Sequence, residues 1–474
     1  MTSRPLELLL PLIRGGRPTL GEQIEEQLRR AIRAGTLAPG ARLPSTRDLA
    51  RQLGVSRPIV VDAYGQLAAE GYLAVRQGAR PRVSDAAALA RPAALETVPP
   101  APPPRFDFRP SVPDLSAFPR SAWLRSMREA LTAMADAELD YGDPRGVEPL
   151  RSALSEYLGR VRGVAGEPGQ VVVTGGFAQA RGLVCRALAA AGARRIAIED
   201  PSHPEQRAAI VQAGLELVPV PVDESGIDVD ALERAAVDVV VLTPAHQFPT
   251  GAVLTGERRT ALIAWLRRSG AIALEDDYDA EYRYDRAPVG TLQGLLPDRV
   301  VYAGTASKTL APALRIGWLV VPPLLLDAIG HEKRLADLGC PRIDQHAFAG
   351  FLARGELDRH LRRMRARYRG RRDTLVEALA VVLPEAEIQG IAAGLHAAVR
   401  LPDADDERAI RAEASSRRIA LGTMGEYRID SARGRPTLLL GYAQSPEPTI
   451  RSGVIELARA VHAQRRTHAR RHRR

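Results

Sequence analysis

Lysine is rare in this sequence of 474 residues. Lys308 and Lys333 are the two lysines among 66 Lys and Arg residues, so the other 64 are arginine. Lys308 follows the apolar, β-branched run Val300–Ala303, which is typical of a buried strand. A buried ε-amine can lose its proton and attack a carbonyl, whereas a guanidinium stays protonated. We therefore predict a Schiff-base lysine at position 308; an ordinary surface lysine is the alternative.

Two further groups of residues could bind a phosphate. The turn Thr174-Gly175-Gly176 ends a strand-like run, and a helix is predicted from Phe177 onwards. Two glycines in such a turn expose backbone N–H groups at the positive end of a helix dipole, which suits a phosphate. Hydroxyl and guanidinium groups near Lys308 could bind the same phosphate, and they belong to Thr305, Ser307 and Arg315.

An acidic cluster, Glu275-Asp276-Asp277-Tyr278, ends another predicted strand. A carboxylate beside a pyridine nitrogen keeps that nitrogen protonated, because an adjacent opposite charge favours the charged form. The tyrosine could donate a hydrogen bond to a phenolic oxygen. An acidic helix cap is the structural alternative.

Taken together, these groups have the chemistry that pyridoxal 5′-phosphate requires. That cofactor needs a lysine for a Schiff base, a carboxylate at the ring nitrogen and an anion site for its phosphate. Here the glycine turn, the carboxylate, the tyrosine, the lysine and the arginine follow one another along the chain, each next to the end of a predicted strand. We therefore expect one cofactor site built from all of them.

The elements that must position these residues alternate between strands and helices. Near-continuous apolar strands separated by helices predict a mostly parallel sheet covered on both faces, with ligands at the carboxyl ends of the strands. The predicted helices include Ala178–Ala190 and Arg258–Arg268. The predicted strands are Val171–Thr174, Ile196–Glu199, Leu217–Val222, Val237–Thr243, Ile272–Leu274, Val300–Ala303 and Trp318–Val321.

The first 85 residues predict a separate winged helix-turn-helix unit. Apolar residues recur at helical spacing from Leu20 to about Ala34, a short helix spans Arg47–Leu53, and Ser56 is placed to cap a third helix. Tyr72–Arg76 then predicts a two-stranded wing. Such a fold places the start of its third helix in the DNA major groove while flanking cations contact phosphates. A tri-helical module that binds another protein is the alternative. The candidate for a base contact is Arg57, and the candidates for backbone contacts are Arg47, Arg76, Arg80 and Arg82.

The remaining segments are a joint and a tail. Residues 86–105 are rich in Ala and then in Pro, which predicts a semi-stiff linker. Residues 465–474 are a basic run, expected to be a disordered, solvated end or a salt-sensitive DNA contact. No apolar run is long enough to span a membrane, the two cysteines lack metal-like spacing, and we see no signal peptide, so a cytoplasmic protein is expected. A net charge of +10 is compatible with a polyanionic partner.

Several motifs in the first 85 residues resemble the DNA-binding domain of the GntR family of bacterial repressors. The wing differs, with Gly78-Ala79-Arg80-Pro81 where that family usually has Gly-Ser-Gly-Thr. The resemblance adds Ser56 and Gly78 to the expected DNA-binding residues. The matching stretches are Leu43-Pro44-Ser45-Thr46-Arg47-Asp48-Leu49-Ala50, Leu53-Gly54-Val55-Ser56-Arg57 and Leu67-Ala68-Ala69-Glu70-Gly71-Tyr72-Leu73.

Most of residues 106–474 resemble the fold-type I aminotransferases, and nearly the full length of the chain resembles the MocR/GabR-type transcriptional regulators. The implied fold class is α/β, with an N-terminal winged helix-turn-helix (1–85) joined by a Pro-rich linker (86–105) to a fold-type I, pyridoxal-phosphate-dependent aminotransferase-like domain (106–464) and a basic tail (465–474). The motifs are Tyr141-Gly142-Asp143-Pro144-Arg145-Gly146, Thr243-Pro244-Ala245-His246-Gln247-Phe248-Pro249-Thr250-Gly251, Glu275-Asp276-Asp277-Tyr278-Asp279-Ala280-Glu281 and Gly304-Thr305-Ala306-Ser307-Lys308.

The resemblance implies a role for each site residue. Lys308 would carry pyridoxal 5′-phosphate as a Schiff base, and Tyr278 would contact the phenolic oxygen. Asp276 would contact the ring nitrogen on the spacing of the regulators, whereas the spacing of the aminotransferases would also allow Glu275. His203 stands where the family often has an aromatic residue stacked on the pyridine, and His246 or Gln247 lies near the position of an asparagine in aminotransferases.

One departure bears on function. Leu439 stands where aminotransferases have the arginine that clamps the substrate carboxylate, and an apolar side chain cannot hold a carboxylate. Arg428, Arg433 and Arg435 are possible substitutes.

The resemblance therefore implies a regulator of transcription rather than an enzyme. It would be a cytoplasmic, nucleoid-associated, head-to-tail homodimer that binds an operator in double-stranded DNA, and its effector would be pyridoxal phosphate itself or an amino compound. A working aminotransferase with an accessory DNA-binding head is the first alternative. A regulator whose body has lost the cofactor and serves only to dimerise is the second.

Overall fold

The computed structural model describes residues 10–76, 79–85, 102–284, 289–430 and 434–471, with side chains described through Thr467. The chain divides into two compact units, Met1–Ala101 and Pro102–Arg474. Gln77, Gly78, most of the predicted linker and Arg433 lie outside the described residues. Within the described part of the chain, no helix is long and apolar enough to cross a membrane.

The first unit is a three-helix bundle with a small wing. A buried stripe on the first helix, formed by Ile24, Leu28 and Ile32, packs into a core shared with the other two helices. Thr19 caps the first helix, and Ser45 caps the second by accepting a hydrogen bond from the Asp48 N–H at 3.1 Å. The elements are α1 (Leu20–Arg33), α2 (Thr46–Leu53), α3 (Arg57–Ala69), β1 (Leu73–Ala74) and β2 (Arg82–Val83), with β1 and β2 antiparallel.

The start of α3 differs in one detail from the prediction. Ser56 occupies the cap position with an extended backbone, but its side chain makes no capping hydrogen bond. Pro58 lies in the first turn of α3, where its lack of an N–H group has no cost because that N–H would have no acceptor within the helix.

The second unit is an α/β body. Its α-helices and strands are β3 (Phe106–Phe108), α4 (Arg120–Ala133), α5 (Glu148–Arg162), β4 (Val171–Thr174), α6 (Phe177–Ala190), β5 (Arg195–Asp200), α7 (Pro204–Gln212), β6 (Glu216–Asp223), β7 (Gly226–Ile227), α8 (Val229–Ala235), β8 (Val239–Leu242), α9 (Gly256–Ser269), β9 (Ile272–Asp277), β10 (Val300–Thr305), α10 (Ala306–Thr309), β11 (Gly317–Val320), α11 (Pro323–Asp337), α12 (Arg342–Ala353), α13 (Glu356–Val382), β12 (Glu387–Gln389), β13 (His396–Arg400), α14 (Glu407–Ser416), β14 (Ile419–Thr423), β15 (Thr437–Gly441) and α15 (Glu447–Arg471). Short 3₁₀ turns lie at Leu115–Ala117, Asp136–Leu139, Pro168–Gln170, Pro312–Leu314 and Met424–Glu426.

The central sheet of the body has the strand order β4-β11-β10-β9-β8-β5-β6-β7 in the described residues. The strands from β10 through β6 are parallel, while β11 is antiparallel to both of its neighbours and β7 is antiparallel to β6. Separate apolar clusters cover the two faces: α6 contributes to one and α9 to the other. Each of the seven predicted strands corresponds to a strand of this sheet, and the parallel core lies where the prediction placed it.

A second sheet was not predicted. Its order is β12-β13-β15-β14-β3, and β3, which follows the linker, adds to it in parallel with β14. Phe106 and Phe108 of β3 are buried there.

The expectation of a disordered tail was wrong for residues 465–471. Helix α15 continues through them to Arg471. Arg465 forms ion pairs with Asp405 at 2.6 Å and with Glu385 at 2.5 Å. Arg465 follows the buried Val461 by one helical turn, so it lies on the face of α15 that packs against the body. Its ion pairs hold the start of the basic run in place.

Candidate functional site

Lys308 lies on α10, directly after β10, the border strand of the parallel region, which pairs in parallel with β9 and antiparallel with β11. The strand β10 lies next to β9 in the sheet, and Ala303 of β10 pairs with Asp276 of β9. The Lys308 side chain is partly buried, and this burial lowers its pKa, although Asp279 and Asp276 partly oppose the shift. Among the described residues, none forms a hydrogen bond or an ion pair with its ammonium group. The geometry therefore gives an amine that deprotonates more easily than a free lysine.

Asp276 and Glu275 are separated by the alternation of side chains along β9. Asp276 is 6% exposed, and its Oδ1 has no hydrogen-bond partner among the described residues. Burial raises its pKa well above the usual range, and the positive charge of Arg181 on α6 partly opposes the shift. Glu275 instead accepts hydrogen bonds from the N–H groups of Leu292 and Gln293 at 3.0 and 2.9 Å. Asp276 is thus the carboxylate with a free acceptor.

Tyr278, His246 and Asp279 form a buried group beside Asp276. The Tyr278 hydroxyl lies 3.1 Å from His246 Nδ1, and the same nitrogen lies 3.0 Å from Asp279 Oδ2. Burial raises the pKa of Tyr278 well above its usual range, and Asp279 adds to the shift. The phenol therefore stays protonated.

Gln247, the other candidate beside His246, is used to hold its own loop. Its Nε2 donates to the carbonyls of Pro201 and Phe248 at 2.9 and 2.7 Å, and its Oε1 accepts from the Thr250 hydroxyl at 2.7 Å. The amide is buried, so the structure gives Gln247 a role in supporting the loop rather than a free group toward a ligand.

Four aromatic rings gather next to this group. Phe248 contacts the rings of His203, His396 and Tyr427, with centroids 6.1, 5.2 and 5.1 Å away. His203 is stacked on Phe248 and is partly buried, which lowers its pKa. Sequence reasoning identified His203 but missed the other three rings. Phe248 could have been noticed because it adjoins the predicted His246-Gln247 pair, whereas Tyr427 lies at the end of a 3₁₀ turn without a motif.

The glycine turn lies at the start of α6, as predicted. Gly176 has φ +95°, and a Cβ there would lie 3.3 Å from Arg315 Nη1, so the turn and this guanidinium are adjacent. The other predicted phosphate ligands near Lys308 are the hydroxyls of Thr305 and Ser307, whose oxygens are 3.0 Å apart. The guanidinium carbon of Arg181 lies over the Phe177 ring, 5.6 Å from its centroid. The Gly175 N–H is already bound, because it donates to Gln179 Oε1 at 2.6 Å.

Leu439, the residue expected at the position of the carboxylate clamp, has apolar neighbours. Leu439 is fully buried in a small apolar cluster with Ala398 and Met424, against Tyr427. Arg435 pairs with Asp403 at 2.6 Å, and Arg428 donates to the Arg435 carbonyl at 3.0 Å. Both arginines line a cleft of about 1470 Å³ whose described lining includes neither Lys308 nor Asp276.

In the first unit, the predicted DNA contacts share one property: they are exposed. Arg57 opens α3, and its Nε lies 3.4 Å from the Thr46 hydroxyl of α2. The exposed cations are Arg47, Arg57, Arg76, Arg80 and Arg82. Ser56 is exposed at the cap position beside Arg57, and Gly78 is outside the described residues. In the wing, Arg80 precedes β2 and Arg82 lies on it, and both side chains are exposed.

The residues present have the chemistry of a pyridoxal phosphate site. An amine with a lowered pKa follows β10, and a buried carboxylate oxygen without a partner among the described residues lies at the end of β9. The turn after β4 contains Gly176, whose φ of +95° favours glycine. The fold and this site define a helix-turn-helix protein whose body has the aminotransferase fold.

Comparison with known proteins agrees with that class. Residues 20–83 match the family described as bacterial regulatory proteins, gntR family, and residues 113–435 match aminotransferase class I and II. The chain is 35% identical to the HTH-type pyridoxine biosynthesis transcriptional regulator PdxR of Corynebacterium glutamicum, over 93% of this chain and 95% of the relative. It is 32% identical to the probable rhizopine catabolism regulatory protein MocR of Rhizobium meliloti, over 95% and 96%.

A solved structure shows the same fold in the body. LysN, the α-aminoadipate aminotransferase of Thermus thermophilus complexed with N-(5′-phosphopyridoxyl)-L-leucine, superposes with a TM-score of 0.67 at 25% identity, covering 76% of this chain and 92% of that one. The chain belongs to the MocR-type family of transcriptional regulators, in which a GntR-type DNA-binding head is fused to an aminotransferase-like body.

Proposed function

We propose that the body binds pyridoxal 5′-phosphate through Lys308 and senses an effector, and that this binding controls how the head engages its operator. The observation that carries the proposal is Asp276 Oδ1, a buried acceptor without a partner among the described residues, on the strand next to Lys308. An unpaired buried carboxyl oxygen is costly, and a protonated pyridine nitrogen would satisfy it. When bound, the cofactor supplies an aldehyde that reacts with amines.

Different residues of the site would bind different parts of this cofactor. Asp276 holds the proton at the ring nitrogen, and Tyr278, oriented by His246, donates to the phenolic oxygen. His203 and Phe248 provide ring surfaces for the pyridine. The N–H groups that open α6, together with the Arg315 guanidinium and the hydroxyls of Thr305 and Ser307, hold the phosphate.

The effector is pyridoxal phosphate itself or an amino compound. The relative named as a regulator of pyridoxine biosynthesis supports the first possibility. An amino compound would reach Lys308 without a carboxylate clamp, because Leu439 fills that position with apolar surface. For the same reason, sensing is favoured over turnover: an amino-acid substrate would lack its main anchor.

The assembly we propose is a cytoplasmic, head-to-tail homodimer with two heads on the joints after residue 85. Two linked heads gain from effective concentration when they engage direct repeats or an inverted pair of half-sites. An effector can change operator binding if it has different affinities for two arrangements of the heads. Arg57 would read bases, and Arg47, Arg76, Arg80 and Arg82 would contact phosphates, with Ser56 and the wing residue Gly78 beside them.

The test uses the full chain loaded with pyridoxal phosphate. Borohydride reduction followed by peptide mass spectrometry should place the cofactor on Lys308, and Lys308→Ala should lose the visible absorbance of the adduct. Operator binding measured with and without added pyridoxal phosphate should differ for the wild type and not for Lys308→Ala. A cofactor fixed elsewhere would refute the assignment of Lys308.

The same purified protein also distinguishes the proposed function from two alternatives. Steady-state turnover with amino-acid donors would establish a working aminotransferase. A wild-type protein that dimerises and binds DNA but never takes up pyridoxal phosphate would establish a body that serves only to dimerise.

A further inference from the structure

The second lysine of the chain lies behind the glycine turn. Lys333 is on α11, which packs against α6, and it is fully buried. Its Nζ donates to Asp337 Oδ2 at 2.6 Å, to Gln179 Oε1 at 3.2 Å and to Cys340 Sγ at 3.1 Å. An ammonium has three donors, so each one has an acceptor here.

Gln179 connects this ammonium to the turn. Its Oε1 accepts both from Lys333 and from the Gly175 N–H, the latter at 2.6 Å. Its Nε2 donates to Asp337 Oδ2 at 2.6 Å, so the amide cannot flip without losing hydrogen bonds on both sides. The backbone of Gly175 is therefore fixed by a chain of contacts that ends at a buried charge.

The contacts at this position suit lysine better than arginine, the cation at 64 of the 66 Lys and Arg positions. The ammonium is a compact point charge whose three donors meet three acceptors, whereas a planar guanidinium presents five donors in a fixed fork. In a fully buried position the extra N–H groups would lack acceptors, which is costly. Asp337 balances the charge; it is itself partly buried, but its hydrogen bonds from Lys333 and Gln179 keep its pKa below the usual value.

We propose that Lys333 is a positioning residue for the cofactor phosphate: acting through Gln179, it fixes the Gly175–Gly176 turn so that the N–H groups opening α6 face the phosphate. The inference rests on the proposed function, because it concerns the same cofactor. Gly175 gives its N–H to Gln179, which leaves phosphate binding to the first-turn N–H groups of α6 that have no acceptor within the helix.

The experiment compares two ligands that differ by the phosphate. Cofactor-free full-length protein is titrated with pyridoxal phosphate and with pyridoxal, for the wild type, Lys333→Met and Gln179→Met. The control is Arg334→Met, which removes an exposed cation from the same helix. Lys333→Met and Gln179→Met should each weaken binding of pyridoxal phosphate about tenfold or more, the size expected for a lost hydrogen bond to a charged group. Binding of pyridoxal should not change, and Arg334→Met should change neither affinity.

Gln179→Met keeps the test decisive if Lys333→Met folds poorly, because Gln179 is only partly buried. Equal losses for both ligands would overturn the inference, since they would indicate a general structural role. Unchanged affinity for pyridoxal phosphate in either folded variant would also overturn it. A wild-type protein that binds neither ligand would instead refute the proposed function.

Discussion

Glu275 and Asp276 are consecutive residues of β9 whose carboxylates face opposite sides of the central sheet. Glu275 lies on the side of α9, where the N–H groups of Leu292 and Gln293 satisfy it, and burial raises its pKa to about 7. Asp276 lies on the side of α6 with one oxygen unsatisfied by any described residue. The same pair of acidic residues thus supplies a support for the fold and a free acceptor for a ligand.

Asp276→Asn should weaken cofactor binding and stabilise the cofactor-free protein. Affinity should fall at least about tenfold, because a hydrogen bond to a charged group contributes about 1.5–3 kcal/mol. Burial raises the pKa of Asp276, so the wild type loses stability as pH rises above about 3.9, the pKa in the unfolded chain. The stability gain of the variant, measured by urea unfolding without cofactor, should therefore grow with pH.

Glu275→Gln is the matched control for that experiment. It should leave cofactor affinity unchanged, because the Leu292 and Gln293 N–H groups already occupy the Glu275 carboxylate. If Glu275→Gln abolished binding while Asp276→Asn did not, the two residues would have exchanged roles.

His396 should make the body sensitive to acid. It is buried, and burial, with a smaller effect from His246, lowers its pKa to about 3. The unfolded chain takes up this proton near pH 6.5, so the contribution of His396 to stability is complete above that pH and is lost as pH falls toward 3. Relative to His396→Gln, the wild type should lose about 2 kcal/mol of unfolding free energy between pH 7 and 5. An unchanged difference between the two proteins would contradict the shift.

Two arginines of the head should have distinguishable effects on DNA binding. Arg57→Ala should cost about 1–3 kcal/mol on the operator and relax its sequence preference, as expected for a base contact. Arg76→Ala should weaken binding to all sequences about equally and reduce the salt slope by about one. Fluorescence anisotropy on operator and scrambled duplexes at several salt concentrations measures both. The assignments would be reversed if Arg76→Ala changed the ratio of operator to scrambled affinity.

Arg465 should stabilise the body, unlike the arginine that follows it. Its partner Asp405 has a buried side chain, 3% exposed, so Arg465→Met leaves a carboxylate without its ion pair. We expect a loss of about 1–3 kcal/mol in thermal or urea unfolding. Arg466 is exposed, and Arg466→Met should stay within about 0.5 kcal/mol of the wild type. Equal effects would mean that the end of α15 contributes through total charge alone.

The sequence was most informative where hydrophobic periodicity and strand ends coincide. The strands of the parallel core are continuous apolar runs, so their positions follow from burial on both faces. Lys308, Asp276 and Gly176 could be assigned to one site because each stands at the carboxyl end of such a strand. The second sheet escaped prediction because strands such as β12 and β3 span three residues each, too short for a periodic signal.

Other features depend on tertiary contacts that no local pattern encodes. Lys333 looks like a solvated cation on a helix, and its burial becomes visible once α11 packs on α6. Tyr427 reaches the aromatic group from a turn that is distant in the sequence. Arg465 belongs to a basic run whose composition indicates a solvated end, but Asp405, 60 residues earlier in the chain, binds it.

The scarcity of lysine gives this chain two side-chain amines that differ in access: Lys308 is partly exposed, while Lys333 is enclosed. An acylating reagent applied to the native protein should therefore modify Lys308 and spare Lys333 until the chain unfolds. Labelling of the first would report whether the pocket is filled, and labelling of the second would count unfolded molecules in the same sample.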